Sequence, residues 1–254
     1  MPLQPDQLRE RVEGYLAELS LTDELGTLVE PMRHALGGKR VRPVLTLATA
    51  DAIGFPVEDV LPAAAAVELV HSFSLVHDDL PALDDDSERR GAPSVWAQYG
   101  EASAILAGDA LLVEAMRLVL TYPRVSVARE LVSATLAMIG GQQMDLEGAT
   151  QLDELHSLKT GALFSASVML ALWAADVPID EHPPWRAFAA ELGLLFQIVD
   201  DVLDGDGYVL EVGEEGARRL ADEAAERAKA RLAELDADTS VLESIVDELA
   251  VRTA

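Results

Sequence analysis

Apolar residues recur along this chain at intervals of three and four, the spacing that gathers side chains on one face of an α-helix. Runs of alternating β-branched residues with hairpin turns are hard to find. The pattern predicts an all-α fold, with helices near residues 5–18, 22–36, 40–53, 59–79, 94–120, 124–139, 151–174, 184–204, 212–235 and 239–252. Ser240 followed by Glu243 reads as a capping box for the last helix, and Gly37-Gly38 as the stop after the second. Segments 59–79, 94–120, 151–174 and 184–204 carry Ala, Leu and Val on most faces, so they need neighbours on every side and are expected to form a buried inner layer. With no repeat, low-complexity tract or long linker to divide it, the chain from 1 to 254 reads as one helical domain.

Half of the 254 residues are hydrophobic, enough for a substantial core, yet no uninterrupted apolar run approaches the length of a membrane helix, so no transmembrane segment is expected. Met1-Pro2-Leu3-Gln4-Pro5-Asp6 lacks a basic stretch leading into an apolar one, and the expected location is cytoplasmic. Without cysteine there are no disulfides or thiolate metal sites. A formal charge of −26 argues against nucleic acid and anionic membrane surfaces as partners. Within that acidity the rare cations stand out. Only three of the 19 basic residues are lysines, and Lys39 falls in Gly37-Gly38-Lys39-Arg40-Val41-Arg42-Pro43. Cations kept in a very acidic chain point to an anion site.

Two aspartate clusters, Asp78-Asp79-Leu80-Pro81-Ala82-Leu83-Asp84 and Asp200-Asp201-Val202-Leu203-Asp204, lie beside strongly apolar helical sequence more than a hundred residues apart. Asp200 and Asp204 are four apart and share a helix face, so both can offer oxygens to one hard cation. Asp78 and Asp84 are six apart and would diverge on an unbroken helix; Pro81 loosens it, so Asp84 returns from a non-helical segment. Mg²⁺ is commonly held by one or two carboxylates plus substrate phosphates, and two such walls call for a phosphorylated ligand between them. The basic groups form two sets: Lys39, Arg40 and Arg42 with His71, two helical turns before Asp78, and Arg89-Arg90 after the first cluster.

The Gly37–Pro43 run, His71 to Gly91 (HSFSLVHDDLPALDDDSERRG), Leu106-Ala107-Gly108-Asp109-Ala110-Leu111-Leu112, Gly140-Gly141-Gln142, Leu158-Lys159-Thr160-Gly161-Ala162-Leu163 and Phe196-Gln197-Ile198-Val199-Asp200-Asp201-Val202-Leu203-Asp204 together resemble the trans-polyprenyl diphosphate synthases of the farnesyl and geranylgeranyl type. The resemblance extends from about residue 25 to 205. It implies an isoprenoid-synthase-type bundle around a central apolar cavity, and a 1'-4 head-to-tail condensation of isopentenyl diphosphate with an allylic diphosphate. It implies Mg²⁺ as cofactor, three ions with substrate bound, held by Asp78 and Asp84 on one wall and Asp200 and Asp204 on the other, with Asp79 nearby. By the same match Arg89 contacts the allylic diphosphate, and Lys39, Arg42, His71 and Arg90 hold isopentenyl diphosphate. Lys159, Thr160 and Gln197 match catalytic residues beside the allylic C1–O bond, where aligned oxygen dipoles favour a forming cation. Phe73, with Ser74 beside it, matches the position that limits product length. An aromatic there, combined with the longer aspartate motif, favours the C15 product, farnesyl diphosphate, over the C20 geranylgeranyl diphosphate. The resemblance also implies a homodimer, for which 94–120 is the candidate interface.

The chain departs from this family after Asp204. A longer segment bearing two lysines normally follows; here Gly205-Asp206-Gly207 leads straight to Tyr208, and Ala92 stands where a lysine commonly follows Arg-Arg-Gly. Lys229 lies too far along the next helix to replace them. An active enzyme with fewer cationic contacts and a catalytically silent or regulatory subunit of a heteromeric synthase both fit this gap. A class I terpene cyclase fits less well, since it has little use for Lys39, Arg42 and His71.

Overall fold

The computed structural model describes residues 3–148 and 151–251. Among them are helices α1 (Pro5–Glu18), α2 (Val29–Ala35), α3 (Val41–Ala52), α4 (Val57–Asp78), α5 (Val95–Tyr99), α6 (Glu101–Val119), α7 (Val125–Leu146), α8 (Leu152–His156), α9 (Ala162–Ala174), α10 (His182–Asp204), α11 (Tyr208–Leu232) and α12 (Ser240–Ala250). The all-α expectation holds, with one small exception: β1 (Glu88–Arg89) pairs antiparallel with β2 (Ala92–Pro93). That hairpin is too short to show as alternation, and it carries Arg89.

Helices α4 and α9 run through the centre and pack on each other, with α3, α6, α7 and α10 around them and α11 and α12 outside α10. Phe164, Val168, Met169, Leu170 and Leu172 of α9 are wholly shielded, each larger side chain contributing about 1.5–3 kcal/mol. The alanine run Ala63–Ala66 in α4 is equally buried and lets neighbouring helices approach closely. Pro62 lies inside α4, and the hydroxyl of Tyr122 bridges the backbone there, accepting from Ala63 N at 3.2 Å and donating to Asp59 O at 2.9 Å. By length and composition, Val57–Asp78 and Leu152–Ala174 could cross a membrane, but 67% and 50% of those windows are buried inside this fold, as in core helices.

Several predicted boundaries move, each for a local reason. The 94–120 helix breaks at Gly100, whose φ of 86° and ψ of 156° end one helix and start the next. The segment 22–36 is a 3₁₀ turn, Asp23–Leu28, kinked at Gly26, followed by α2. Helix α7 continues through Gly140-Gly141 to Leu146, α11 begins at Tyr208 with a kink at Gly213, and 151–174 contains a π-turn at Ser157–Gly161. The Ser240–Glu243 capping box does not form: Thr239 precedes the helix and bonds Glu243 at 3.0 Å, while Ser240 bonds Asp238 at 2.7 Å. Nor is 94–120 wholly inner layer. Ile105, Leu106 and Val113 of α6 are exposed, as are Val132, Leu136 and Ile139 of α7.

Arg40 belongs to the scaffold. Its guanidinium is buried and donates to Glu68 at 2.6 Å, to Glu13 at 2.8 Å and to the carbonyls of Leu36 and Gly37, which fixes the loop that carries Lys39. Arg40→Met would leave the Glu68 carboxylate buried without its counter-ion, and denaturant unfolding should show a loss of about 3–5 kcal/mol.

Candidate active site

Two long helices end at the same place. The carboxyl end of α4 delivers Asp78 and Asp79, and that of α10 delivers Asp200, Asp201 and Asp204. Helix carboxyl ends carry partial negative charge, so aspartates there add to a field that a cation would relieve. Beyond α4 the chain folds back on itself: Leu83 N donates to Leu80 O at 2.8 Å and Asp84 N to Asp78 O at 2.9 Å. This is the non-helical return that Pro81 predicts, and it brings Asp84 beside Asp78. Burial raises Asp78 to about 6, with Asp84 and Asp79 adding to the rise and Lys159 and Arg89 opposing it.

A cavity of about 590 Å³ opens between these ends. Arg42, His71, Phe73, Ser74, Asp78, Arg89, Arg90, Lys159, Thr160 and Asp200 all line it, together with apolar side chains that include Leu75, Met138, Leu163 and Phe196. Lys39 is exposed and lines an adjoining cavity of about 550 Å³ that shares Arg42, His71, Arg90 and Asp200 with the first. Asp84 and Asp204 are exposed and do not line either cavity. Gln197 stands one bond away, accepting from the Thr160 hydroxyl at 2.8 Å.

The cations are held in different ways. Arg42 is buried, with its guanidinium carbon 4.7 Å from the Phe164 ring centre and 5.5 Å from that of Phe196, and its Nε has no hydrogen-bond partner. Burial lowers it to about 10, against the pull of Glu68 and Asp200, so it stays charged at neutral pH. Arg89 donates from Nε to Asp79 at 2.9 Å and from Nη2 to Asp86 at 3.2 Å; Arg90 donates to the Gly37 carbonyl. Lys159 bonds Asp145 at 2.6 Å. Burial, reinforced by Arg42 and Arg90, holds His71 well below the usual imidazole range, which makes it a neutral hydrogen-bonding group. Ser74 donates to the His71 carbonyl at 2.9 Å, and Phe73 meets the His77 ring edge-on at 5.4 Å.

Two contributors escaped the sequence reading. Gly141 was visible only as part of a short motif, yet a Cβ there would lie 2.5 Å from Lys159 N and 2.8 Å from Lys159 Cα. The π-turn that presents Lys159 and Thr160 therefore rests directly on α7, where only glycine fits. Asp201 is the other: it is buried, receives Gln197 Nε2 at 2.7 Å on one oxygen and Tyr208 N at 2.9 Å on the other. Gly205 N and Asp206 N bond its carbonyl at 2.8 and 3.2 Å. The short connection after Asp204 is thus tied down, and Gly207, at φ 46°, is required because a Cβ would meet Asp201 Oδ2 at 2.1 Å.

The donor set fits Mg²⁺. Asp78, Asp84, Asp200 and Asp204 supply only hard oxygens, the donors that Mg²⁺ takes. Asp78 gives a pH signature. With its folded value raised to about 6 and its unfolded value near 3.8, the native state holds the extra proton between the two, so metal-free stability should fall as pH rises from about 4 to 6. Thermal unfolding across that window should show the slope in the wild type and its reduction in Asp78→Asn.

Residues 26–217 match the sequence profile of polyprenyl synthetases. The chain is 39% identical to the farnesyl diphosphate synthase of Escherichia coli (strain K12), covering 97% of this chain and 95% of that one, and 33% identical to the farnesyl diphosphate synthase of Bacillus subtilis (strain 168), covering 96% and 94%. The first alignment spans 288 positions against the 254 residues here, so that relative carries residues this chain lacks. Among solved structures, a geranyltransferase from Legionella pneumophila superposes with a TM-score of 0.89 at 30% identity, covering 98% of this chain and 96% of that one. Two aspartate-bearing helix ends, a cavity lined by the cations between them, and full-length kinship of this kind place the chain in the polyprenyl synthetase family.

Proposed function

We propose that this chain is a short-chain trans-prenyltransferase that joins isopentenyl diphosphate to an allylic diphosphate, with farnesyl diphosphate as its principal product and Mg²⁺ as its cofactor, acting in the cytoplasm. One observation carries the reading: a single apolar cavity has both aspartate-bearing helix ends and Arg42, Arg89, Arg90 and Lys159 at its walls. A pair of diphosphate headgroups with an apolar tail matches that distribution.

Asp78 and Asp84 from one side and Asp200 and Asp204 from the other would hold the metal, three ions once substrate is bound; bound Mg²⁺ draws electron density from the diphosphate and eases its departure. Arg89 orients the allylic diphosphate, while Lys39, Arg42, Arg90 and neutral His71 orient isopentenyl diphosphate. The oxygens of Thr160 and Gln197, fixed relative to each other by their hydrogen bond, turn negative dipole toward the carbon that loses the diphosphate, and Lys159 steadies the departing group. The new carbon–carbon bond forms from the isopentenyl double bond, and the proton then shed passes to the departed diphosphate. Apolar walls keep water from competing for the cation.

Phe73 and Ser74 line the cavity and set its depth in this reading. Phe73→Ala should shift the product mixture from C15 toward C20, read by chromatography of the dephosphorylated alcohols. Packed together, α6 and α7 leave Ile105, Leu106, Val113, Val132 and Leu136 exposed, an apolar face suited to a second copy of the chain. Light scattering at micromolar concentration should give a dimer, and a monomer would contradict that interface. The short, lysine-free connection after Asp204 favours a second reading, a silent subunit of a heteromeric synthase; turnover by the purified chain alone separates the two.

A further inference from the structure

A second cavity, of about 680 Å³, lies on the opposite side of the π-turn from the first. Its apolar lining is formed by Leu158, Ala162, Leu194, Ile198 and Leu220, drawn from the turn, α9, α10 and α11. Polar groups also line it. His156 and Tyr208 meet with ring centres 5.4 Å apart, the Tyr208 hydroxyl donates to Asp153 at 2.6 Å, and His156 Nδ1 is buried with no hydrogen-bond partner. Arg227, which also lines it, is engaged by Glu191 at 2.8 Å.

We infer that this cavity is a regulatory site for a small amphipathic molecule with an apolar body and a neutral or cationic hydrogen-bond-donating head, separate from the diphosphate cavity. Size and lining suit a ligand of that kind. An anionic head is disfavoured by Asp153 and Glu191 and by the net charge, whereas a donor would find an acceptor in the Asp153 carboxylate.

The coupling to turnover is structural. Leu158 and Gly161 face this cavity while Lys159 and Thr160 of the same turn face the other. A hydrogen-bonded chain also joins them, from Tyr208 N through Asp201 to Gln197 and Thr160. In this structure Lys159, at the first cavity, is bound to Asp145 at 2.6 Å, and engaging a diphosphate would compete with that bond. A ligand seated against Leu158 and Gly161 would hold the turn in this arrangement rather than the engaged one and so lower turnover by the difference in its affinity for the two. The regulatory part rests on the proposed prenyl transfer; the binding part does not.

The neutral amine N-phenyl-1-naphthylamine, which brightens in apolar surroundings, tests both. It should bind the wild type; Ala190→Trp, which fills the second cavity from an exposed position of α10, should abolish binding, and Asp153→Ala should weaken it about tenfold. Ser74→Phe, which fills the first cavity, should leave binding in place. No binding by the wild type, binding retained in both Ala190→Trp and Asp153→Ala, or loss of it in Ser74→Phe would overturn the site. Saturating probe should lower kcat more than twofold in the wild type and leave Ala190→Trp unaffected; an unchanged wild-type kcat with the probe bound would overturn the regulatory role. Absence of prenyl transfer without any probe would count against the catalytic reading and leave the binding result standing.

Discussion

Asp78→Ala and Asp200→Ala should each lower kcat by about a thousandfold or more, roughly 4 kcal/mol of transition-state stabilisation, with helicity and compactness unchanged. Each residue lies in the closing turns of a long helix at the cavity wall, and each is proposed to carry half of a metal site that its own side of the cavity cannot complete. Stability separates this from a structural role. Asp78 is raised to about 6 by burial, so above that pH its charge works against the fold, and removing it should leave the melting temperature at pH 7.5 unchanged or higher. A variant that lost activity because it had unfolded would melt lower. Circular dichroism melts beside single-turnover rates therefore decide what the aspartate does, and retained activity in either variant would refute the metal assignment.

Gly141→Ala should be nearly as damaging while touching no substrate. The added methyl would meet the Lys159 backbone rather than a yielding side chain tip, so either α7 or the π-turn must move. Overpacking of this kind costs about 1–3 kcal/mol in stability, and a displacement of about 1 Å at Lys159 and Thr160 is enough to cost about a hundredfold in rate. Unlike Asp78→Ala, this variant should melt lower, and its loss should fall on kcat more than on the KM for isopentenyl diphosphate, whose proposed ligands lie on α3 and the loop before it, on α4 and on the β-hairpin. A wild-type kcat in Gly141→Ala would mean that the turn does not present Lys159 in the way the structure shows it.

Much of the site could be read from residue order alone. Asp200 and Asp204 share a face because they are four apart on α10, and Asp84 returns beside Asp78 because Pro81 breaks the helix between them; both inferences needed only local geometry. The positions of Arg42, His71, Lys159 and Thr160 around one cavity are long-range facts, and the sequence showed them only through resemblance. Close approach was illegible. Nothing local distinguishes Gly141, which must be glycine because Lys159 lies against it, from Gly140, which has open space where its Cβ would be. Periodicity also misjudged α6, whose apolar residues on most faces suggested full burial, whereas part of that surface lies exposed beside α7. A helix with apolar residues left at the surface and one buried on every side carry the same pattern. Asp201 was read as part of a metal motif, and its buried position, bridging Gln197 and Tyr208, depends on how tightly the short turn after Asp204 closes.

The most direct test is to incubate the purified chain with Mg²⁺, labelled isopentenyl diphosphate and, separately, dimethylallyl, geranyl and farnesyl diphosphate, and to size the products by chromatography. The account predicts a C15 product from the dimethylallyl and geranyl starters. No product from any starter, with the protein folded and metal present, would contradict it and leave the short connection after Asp204 as the mark of a silent subunit.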